Sequence, residues 1–398
     1  MYIERKIKEG FKKRVKLYNI IALVGPRQAG KTTFLKNQIK NSKTNYLSFD
    51  DPDIKELFEE DVKKFEKQYL EGFEISILDE IQYAKNPGIN LKYLCDKGKK
   101  LWLTSSSEII LSKEVLSYLV GRVSIIKLYP FSLKEFLSAK GIKEFAAKTL
   151  KRYLDEYIEF GGYPKVVLTE SYDEKKILLK DLYETMVLKD VAHSFFIEDI
   201  ASIQKLIKYL SINVGNLLSY ESLSKTLNLS FQTIKKYLDA LEKSYFIARI
   251  RPFMTNKSKE ISKQPKFYFF DTGIRNAIIN SFDIEPSGSL FENCVFSEIV
   301  KAGYEPKFWR TKAGAEVDFV IESGKNIIPI EAKVSAIQEH KRSLASFIKT
   351  YNPGKAIIVG YNIEEKIVNL NGCKIIYTNL INFNNHLKFV DKTPQEKI

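Results

Sequence analysis

Residues 20–33 read IIALVGPRQAGKTT. The run Ile20 to Val24 is short, apolar and stopped by Gly25-Pro26, the pattern of a buried strand. From Lys31 to Ile39 the apolar residues take helical spacing. Between them Gly25, Pro26, Arg27, Gln28, Ala29, Gly30, Lys31 and Thr32 satisfy G-x-x-x-x-G-K-[ST] in full. A loop of this kind turns backbone N–H groups inward around phosphates, with the positive end of the helix behind them. Gly25 through Thr33 are therefore the expected nucleotide-binding residues. Lys31 is expected at the β and γ phosphates of ATP, and Thr32 on Mg²⁺.

Three more apolar runs follow. Ile75 to Leu78 stops at Asp79-Glu80. Asp79 is placed to hold Mg²⁺, and Glu80 to polarise a water for in-line attack on the γ-phosphate. The adjacent acids favour hydrolysis over simple nucleotide binding. A kinase would need a separate acceptor site, which the sequence does not show. Leu101 to Leu103 stops at Thr104-Ser105, where a hydroxyl would orient the water or sense the γ-phosphate. Arg122 follows Gly121 just before the run Val123 to Leu128 and is a candidate arginine finger, in cis or in trans. Short strands alternating with helical stretches predict a parallel α/β sheet over residues 1–131.

Residues 132–202 read as helical, broken at Gly161-Gly162-Tyr163-Pro164. Residues 203–270 read as three helices and a hairpin, the outline of a winged helix-turn-helix. Ser230 is a good N-cap for the last helix, in which Ile234, Leu238 and Leu241 share a face. Gln232, Thr233, Lys235 and Lys236 are then left outward, able to reach base edges and phosphates. Residues 201–265 hold nine Lys and two Arg against one Asp and three Glu, half of the chain's net excess of +14. Lys257, Lys259 and Lys263 in the hairpin loop could meet phosphate in an adjacent groove. Winged helices also serve as lids and protein-docking surfaces.

Over the first half the chain resembles prokaryotic AAA-superfamily ATPases that carry a C-terminal nuclease-like domain of unknown role. The stretches that carry the resemblance are GPRQAGKTT (25–33), YLSFDDP (46–52), ILDEIQ (77–82), LTSSSE (103–108), LVGR (119–122), YPFSLKEF (129–136) and GGYP (161–164). The resemblance implies an extra strand between the two phosphate-site strands. It implies that residues 132–202 form a helical lid, with Gly162 and Pro164 touching the nucleotide. Ser105 stands where such proteins usually have Gly.

Residues 271–390 return to mixed α/β patterning. Glu292 falls on a helix, Asp318 in the strand-like run EVDFVI (316–321), and Glu331 and Lys333 at alternate positions of IEAK (330–333). Alternate positions of a strand share a face. Asp318 and Glu331, with Lys333 and with Glu292 from the helix, could bind Mg²⁺ and activate a water. The set resembles the D…E-x-K signature of the restriction-endonuclease-like fold. A degenerate nuclease that keeps these residues as a polar remnant is the competing reading.

The 63 Lys and Arg against 49 Asp and Glu favour a polyanionic partner such as duplex or branched DNA. No stretch approaches the ~18 uninterrupted apolar residues a membrane span needs. Three scattered cysteines fit a reducing cytoplasm and no structural zinc. The expectation is a cytoplasmic, Mg²⁺-dependent ATP hydrolase coupled to DNA binding and possible cleavage, acting alone, as a homo-oligomer or with a protein partner. The rivals are a nucleotide-dependent signalling switch and a DNA-binding regulator with an inactive nuclease-like domain.

Overall fold

The computed structural model describes residues 2–39, 43–108, 117–142, 147–254, 260, 263–282, 286–324, 326–334 and 341–388. The tail from Asp391, the loop residues Lys257 and Lys259, and His340 lie outside them.

Five parallel strands form the first sheet: β1 (Ile20–Val24), β2 (Thr44–Ser48), β3 (Ile75–Asp79), β4 (Leu101–Ser105) and β5 (Val123–Lys127). Their order is β2-β3-β4-β1-β5, so β4 lies between the strand feeding the glycine loop and the strand ending in Asp79. β1 is buried on both faces. Ile20, Ala22 and Val24 enter the main core, while Ile21 and Leu23 join Phe11, Phe34, Trp102 and Leu128 on the other side. A strand covered on both faces reads as a continuous apolar run, which is why β1 has no alternation.

The next layer is helical. Ser132 caps Leu133–Ala139 through a reciprocal capping box with Glu135. The helices Ala147–Phe160, Pro164–Leu168 and Tyr172–Thr185 follow, and the last runs on as a π-helical segment, Met186–His193. Gly162 joins this layer to the sheet. Its carbonyl accepts from the Phe131 N–H, and a Cβ there would stand 2.2 Å from the Phe131 carbonyl oxygen, so only glycine fits.

The helices Ile200–Ile212, Tyr220–Leu227 and Phe231–Lys243 precede an antiparallel pair, β6 (Ile247–Ile250) and β7 (Lys266–Phe269). Ser230 caps the third helix through the Thr233 N–H, and Ile234, Leu238 and Leu241 are fully buried. The helix Thr272–Ile278 packs back against the helices of residues 147–212.

The C-terminal unit is a six-stranded mixed sheet in the order β12-β13-β11-β10-β9-β8. Its strands are β8 (Lys307–Arg310), β9 (Glu316–Ser323), β10 (Asn326–Lys333), β11 (Lys355–Gly360), β12 (Lys366–Leu370) and β13 (Cys373–Asn379). β9 and β10 form an antiparallel pair whose register sets Ile330 opposite Phe319, and so brings Asp318 to Glu331. The helix Gly288–Lys301 covers this sheet and meets the rest of the chain. Its buried Glu298 accepts from the Leu133 N–H (3.0 Å), the Tyr157 hydroxyl (2.6 Å) and Asn384 Nδ2 (2.9 Å). No helix among the described residues is long and apolar enough to cross a membrane.

Candidate functional site

The phosphate loop sits at the C-terminal edge of β1, where the parallel sheet brings the ends of β3 and β4 beside it. Gly25 adopts φ +153°, and a Cβ there would lie 2.0 Å from the Leu128 carbonyl oxygen. The turn is thus pressed against the chain after β5 and closed to any side chain. Gly30 caps the helix Lys31–Gln38. Lys31 is buried, with Nζ on the carbonyls of Gly25 (2.9 Å) and Pro26 (3.0 Å). Burial pulls its ammonium below the usual lysine range. A cation held inside the loop by two neutral carbonyls is a ready partner for phosphate oxygens. Thr33 is exposed on the first turn of the helix.

Thr32 Oγ1 donates to Asp79 Oδ1 at 2.7 Å, so the two expected Mg²⁺-holding oxygens are in contact. Asp79 Oδ2 accepts from the Tyr46 hydroxyl at 2.6 Å. Thr104 is fully buried; its hydroxyl donates to Asp79 Oδ1 (2.6 Å) and accepts from the Glu80 N–H (2.9 Å). Its one proton is thereby committed to Asp79, so Thr104 organises the acidic pair. That displaces the expectation that it would touch water or the γ-phosphate itself. Glu80 has φ +56°, an unusual backbone for a glutamate, and its carboxylate accepts from Gln82 Nε2.

Arg27 leaves the loop sideways, toward Asp190 of the π-helical segment. Its Nε lies 3.0 Å from Asp190 Oδ2, and Nη2 reaches Asp190 Oδ1 (3.0 Å) and the Tyr83 hydroxyl (2.8 Å). Pro164 lies over the loop, its Cγ 3.8 Å from the position of a Cβ on Gly30. Gly162 gives its N–H to Asp271 Oδ2 and its carbonyl to Phe131. Ser105 is buried, with its hydroxyl on the Ser107 carbonyl.

Arg122 stands elsewhere. It precedes β5, whose first residue Val123 pairs with Ile20, whereas the phosphate loop follows Val24 at the far end of the strand. Its Nε is tied to Asp96 at 2.9 Å. Within one chain it is therefore no arginine finger, because a full strand length separates it from the phosphates.

Residues that the sequence analysis did not single out complete the site. Arg5 donates to the Ala29 carbonyl (2.8 Å) and pairs with Glu135 (3.1 Å). Tyr46 could have been found had YLSFDDP been read as a strand end. Asp190 sits in an apolar helical stretch, where a buried acid and a solvated one look alike.

In the C-terminal unit Asp318 Oδ2 accepts from the Ala332 N–H (2.8 Å), and Lys333 Nζ lies 2.7 Å from Glu331 and 3.4 Å from Asp318. Glu292 is held by Lys266 (3.2 Å) and the Tyr268 hydroxyl. Burial, then the Asp318 charge, pushes Glu292 up to about 7 and Glu331 to about 8. Glu331 Oε1 is buried with no hydrogen-bond partner among the described residues. Glu292, Asp318 and Glu331 were expected to share Mg²⁺. Among the described residues, however, no three acidic, histidine or cysteine side chains form a group that could hold a metal ion. Burial disfavours the charged form of Glu292 and Glu331, and Glu292 is already engaged by Lys266 and the Tyr268 hydroxyl.

On the third helix of the 200–243 unit, Gln232, Lys235 and Lys236 are exposed and Thr233 is half-buried. Lys235, Arg251 and Lys263 line a cavity of about 660 Å³ with Tyr220 and Phe231.

A sheet in this order, with this loop and acid pair, can be set beside known proteins. Residues 17–137 match a family model described as an AAA domain. The N-terminal unit is thus an AAA-type P-loop domain, the class of nucleotide-binding ATPase modules. Residues 151–285 and 287–380 match two further models, each described as a domain of unknown function. An uncharacterized protein of Haemophilus influenzae is 26% identical over 387 residues, 90% of this chain and 92% of that one. An uncharacterized protein of Methanocaldococcus jannaschii is 29% identical over 373 residues, 88% of this chain and 82% of that one. Among solved structures, a Walker-type ATPase of Pyrococcus abyssi aligns with TM-score 0.48 and 13% identity, over 70% of this chain and 96% of that one. Cdc6p of Pyrobaculum aerophilum aligns with TM-score 0.30 and 10% identity, over 70% and 96%.

Proposed function

We propose that the chain is a Mg²⁺-dependent ATP hydrolase whose nucleotide state governs contact with DNA. The observation that carries the hydrolase reading is the 2.7 Å contact between Thr32 and Asp79, with Glu80 next in the chain and the Lys31 ammonium inside the loop. The donor set fits a hard divalent cation: one hydroxyl and one carboxylate, with room in its shell for waters and phosphate oxygens. When bound, Mg²⁺ would neutralise charge on the β and γ phosphates. The chain's own groups do the rest. Lys31 binds phosphate oxygens, Thr104 fixes Asp79 and the Glu80 backbone, and Glu80 accepts a proton from the attacking water. Arg122, at the far edge of the sheet, has a role only toward a second copy of the chain. The test is steady-state ATP turnover with Mg²⁺. Lys31→Ala and Glu80→Gln should each lose at least about 100-fold. Wild type without turnover, or variants equal to it, overturns the reading.

Three helices followed by an antiparallel pair support a winged-helix reading of residues 203–270, with Gln232, Lys235 and Lys236 on the exposed face. For the C-terminal unit, the engagement of Glu292 by Lys266 and the Tyr268 hydroxyl, with no group of three acids able to hold a metal ion among the described residues, favours a DNA-docking remnant of a nuclease over a cutting centre. Incubation with branched or linear DNA and Mn²⁺ should give no cleavage. Cutting that vanishes in Asp318→Ala would restore the nuclease.

A further inference from the structure

We infer that Asp190 is a positioning residue for the hydrolytic site, through which the helical layer controls Glu80. This rests on the hydrolase reading above. Asp190 lies in the π-helical segment Met186–His193, is 1% exposed, and is 163 residues from Arg27 in the chain. π-helical insertions break the regular hydrogen-bond ladder and re-aim side chains, commonly at functional positions.

Three separate parts of the chain meet on this residue. Arg27 of the phosphate loop grips both carboxylate oxygens through Nε and Nη2. Ser106, just after β4, donates to Oδ1 at 2.7 Å. The Asp190 backbone carbonyl accepts from the Ser244 hydroxyl at 2.7 Å, at the end of the helix Phe231–Lys243. The chain of contacts then runs inward. Ser106 Oγ accepts from Gln82 Nε2 at 3.0 Å, and the same amide donates to the Glu80 carboxylate. Glu80 is thus tied through two polar side chains to a carboxylate carried by another layer of the molecule.

A buried Arg–Asp pair adds little net stability over apolar packing of the same volume, yet it fixes register. Here the register is that of the helical layer on the phosphate loop. Burial pushes the Asp190 carboxyl up, and the Arg27 hydrogen bonds and charge oppose that shift. Moving the π-helical segment away would free Ser106 and Gln82 together, and the Glu80 carboxylate with them. Misplacement of a catalytic group by about 1 Å costs roughly 100-fold in rate. A shift in the helical layer would therefore act on turnover more than on nucleotide affinity.

The test uses the full chain with Asp190→Asn and Ser106→Ala. The readouts are kcat, KM, affinity for a fluorescent ATP analogue, and melting temperature. Asp190→Asn should lower kcat by roughly 30- to 100-fold, with KM and analogue affinity within about threefold of wild type. Ser106→Ala keeps the Arg27–Asp190 pair and removes the hydroxyl that bridges Asp190 to Gln82. It should lower kcat about tenfold at a temperature where the chain stays folded, and it decides the matter if the Asn variant does not fold. Wild-type turnover with both variants within twofold of it refutes the relay alone. A loss confined to KM refutes it also. A wild type with no turnover refutes the hydrolase reading and the relay together.

Discussion

Thr104→Val replaces one hydroxyl by a methyl group of nearly the same shape. Two hydrogen bonds disappear. The first is donated to Asp79 Oδ1 at 2.6 Å, a bond to a charged acceptor in a fully buried place, worth about 1.5–3 kcal/mol. The second is accepted from the Glu80 N–H at 2.9 Å, and its loss strands that donor at about 1–3 kcal/mol. Glu80 also holds a left-handed backbone, a conformation that costs roughly 1–2 kcal/mol and is retained by such contacts. Together the substitution removes on the order of 3–5 kcal/mol of local order from the acidic pair. Part will show as a lower melting temperature and part as lost transition-state stabilisation. We expect kcat to fall about 100-fold, equivalent to about 2.7 kcal/mol, with KM within about threefold of wild type. Thr104→Ser, which keeps the hydroxyl, should recover most of the rate. Steady-state ATPase kinetics and thermal melts on the three proteins check this. A Val variant turning over within twofold of wild type would refute the assignment of Thr104 as organiser of Asp79 and Glu80.

Glu298→Ala leaves the Leu133 N–H and the Asn384 amide without their acceptor and the Tyr157 hydroxyl with only the Phe131 carbonyl, and should destabilise the whole chain by about 2–5 kcal/mol in denaturant melts. Lys235→Ala and Lys236→Ala should each reduce the salt slope of DNA binding by about one unit, measured by fluorescence anisotropy from 50 to 200 mM salt. An unchanged slope would remove that helix face from the interface. For pH, Glu292 and Glu331 sit near 7 and 8, above the ordinary 4.5, so the folded chain holds extra protons between pH 4.5 and 8. Stability from this cluster is present at low pH and is lost as pH rises through that window. Asp318→Asn removes a charge that pushes both groups up, and should flatten the difference in melting temperature.

The first sheet was readable because β1, β3 and β4 are almost wholly buried and end at turn-forming, acidic or hydroxyl residues. β1, β3, β4 and β5 stand where the apolar runs predict. β2 was not read as a strand, because Thr44, Asn45 and Tyr46 interrupt its apolar character at the sheet edge. β8 and β12 escaped for a similar reason: they are edge strands, and β12 is largely exposed. At the site, the loop Gly25 to Thr32 and Asp79 stand out in the sequence by residue type and spacing, and the structure brings Thr32 to Asp79. Thr104 was found but its partner was not, since only the register of β3 beside β4 shows that its hydroxyl faces Asp79. Arg5 and Asp190 act across 24 and 163 residues of chain, and no local pattern carries such pairings.

One apolar core runs from Ile3 through the helical layer to Leu387, and Glu298 bolts three of its neighbourhoods together from inside. The family models tile the sequence in three pieces, yet no cut between those pieces avoids stripping apolar side chains bare. Fragments expressed for single activities would therefore aggregate or lose their shape. Swapping one piece between relatives would require exchanging the facing surfaces as well, which binds the evolution of each part to that of its neighbours.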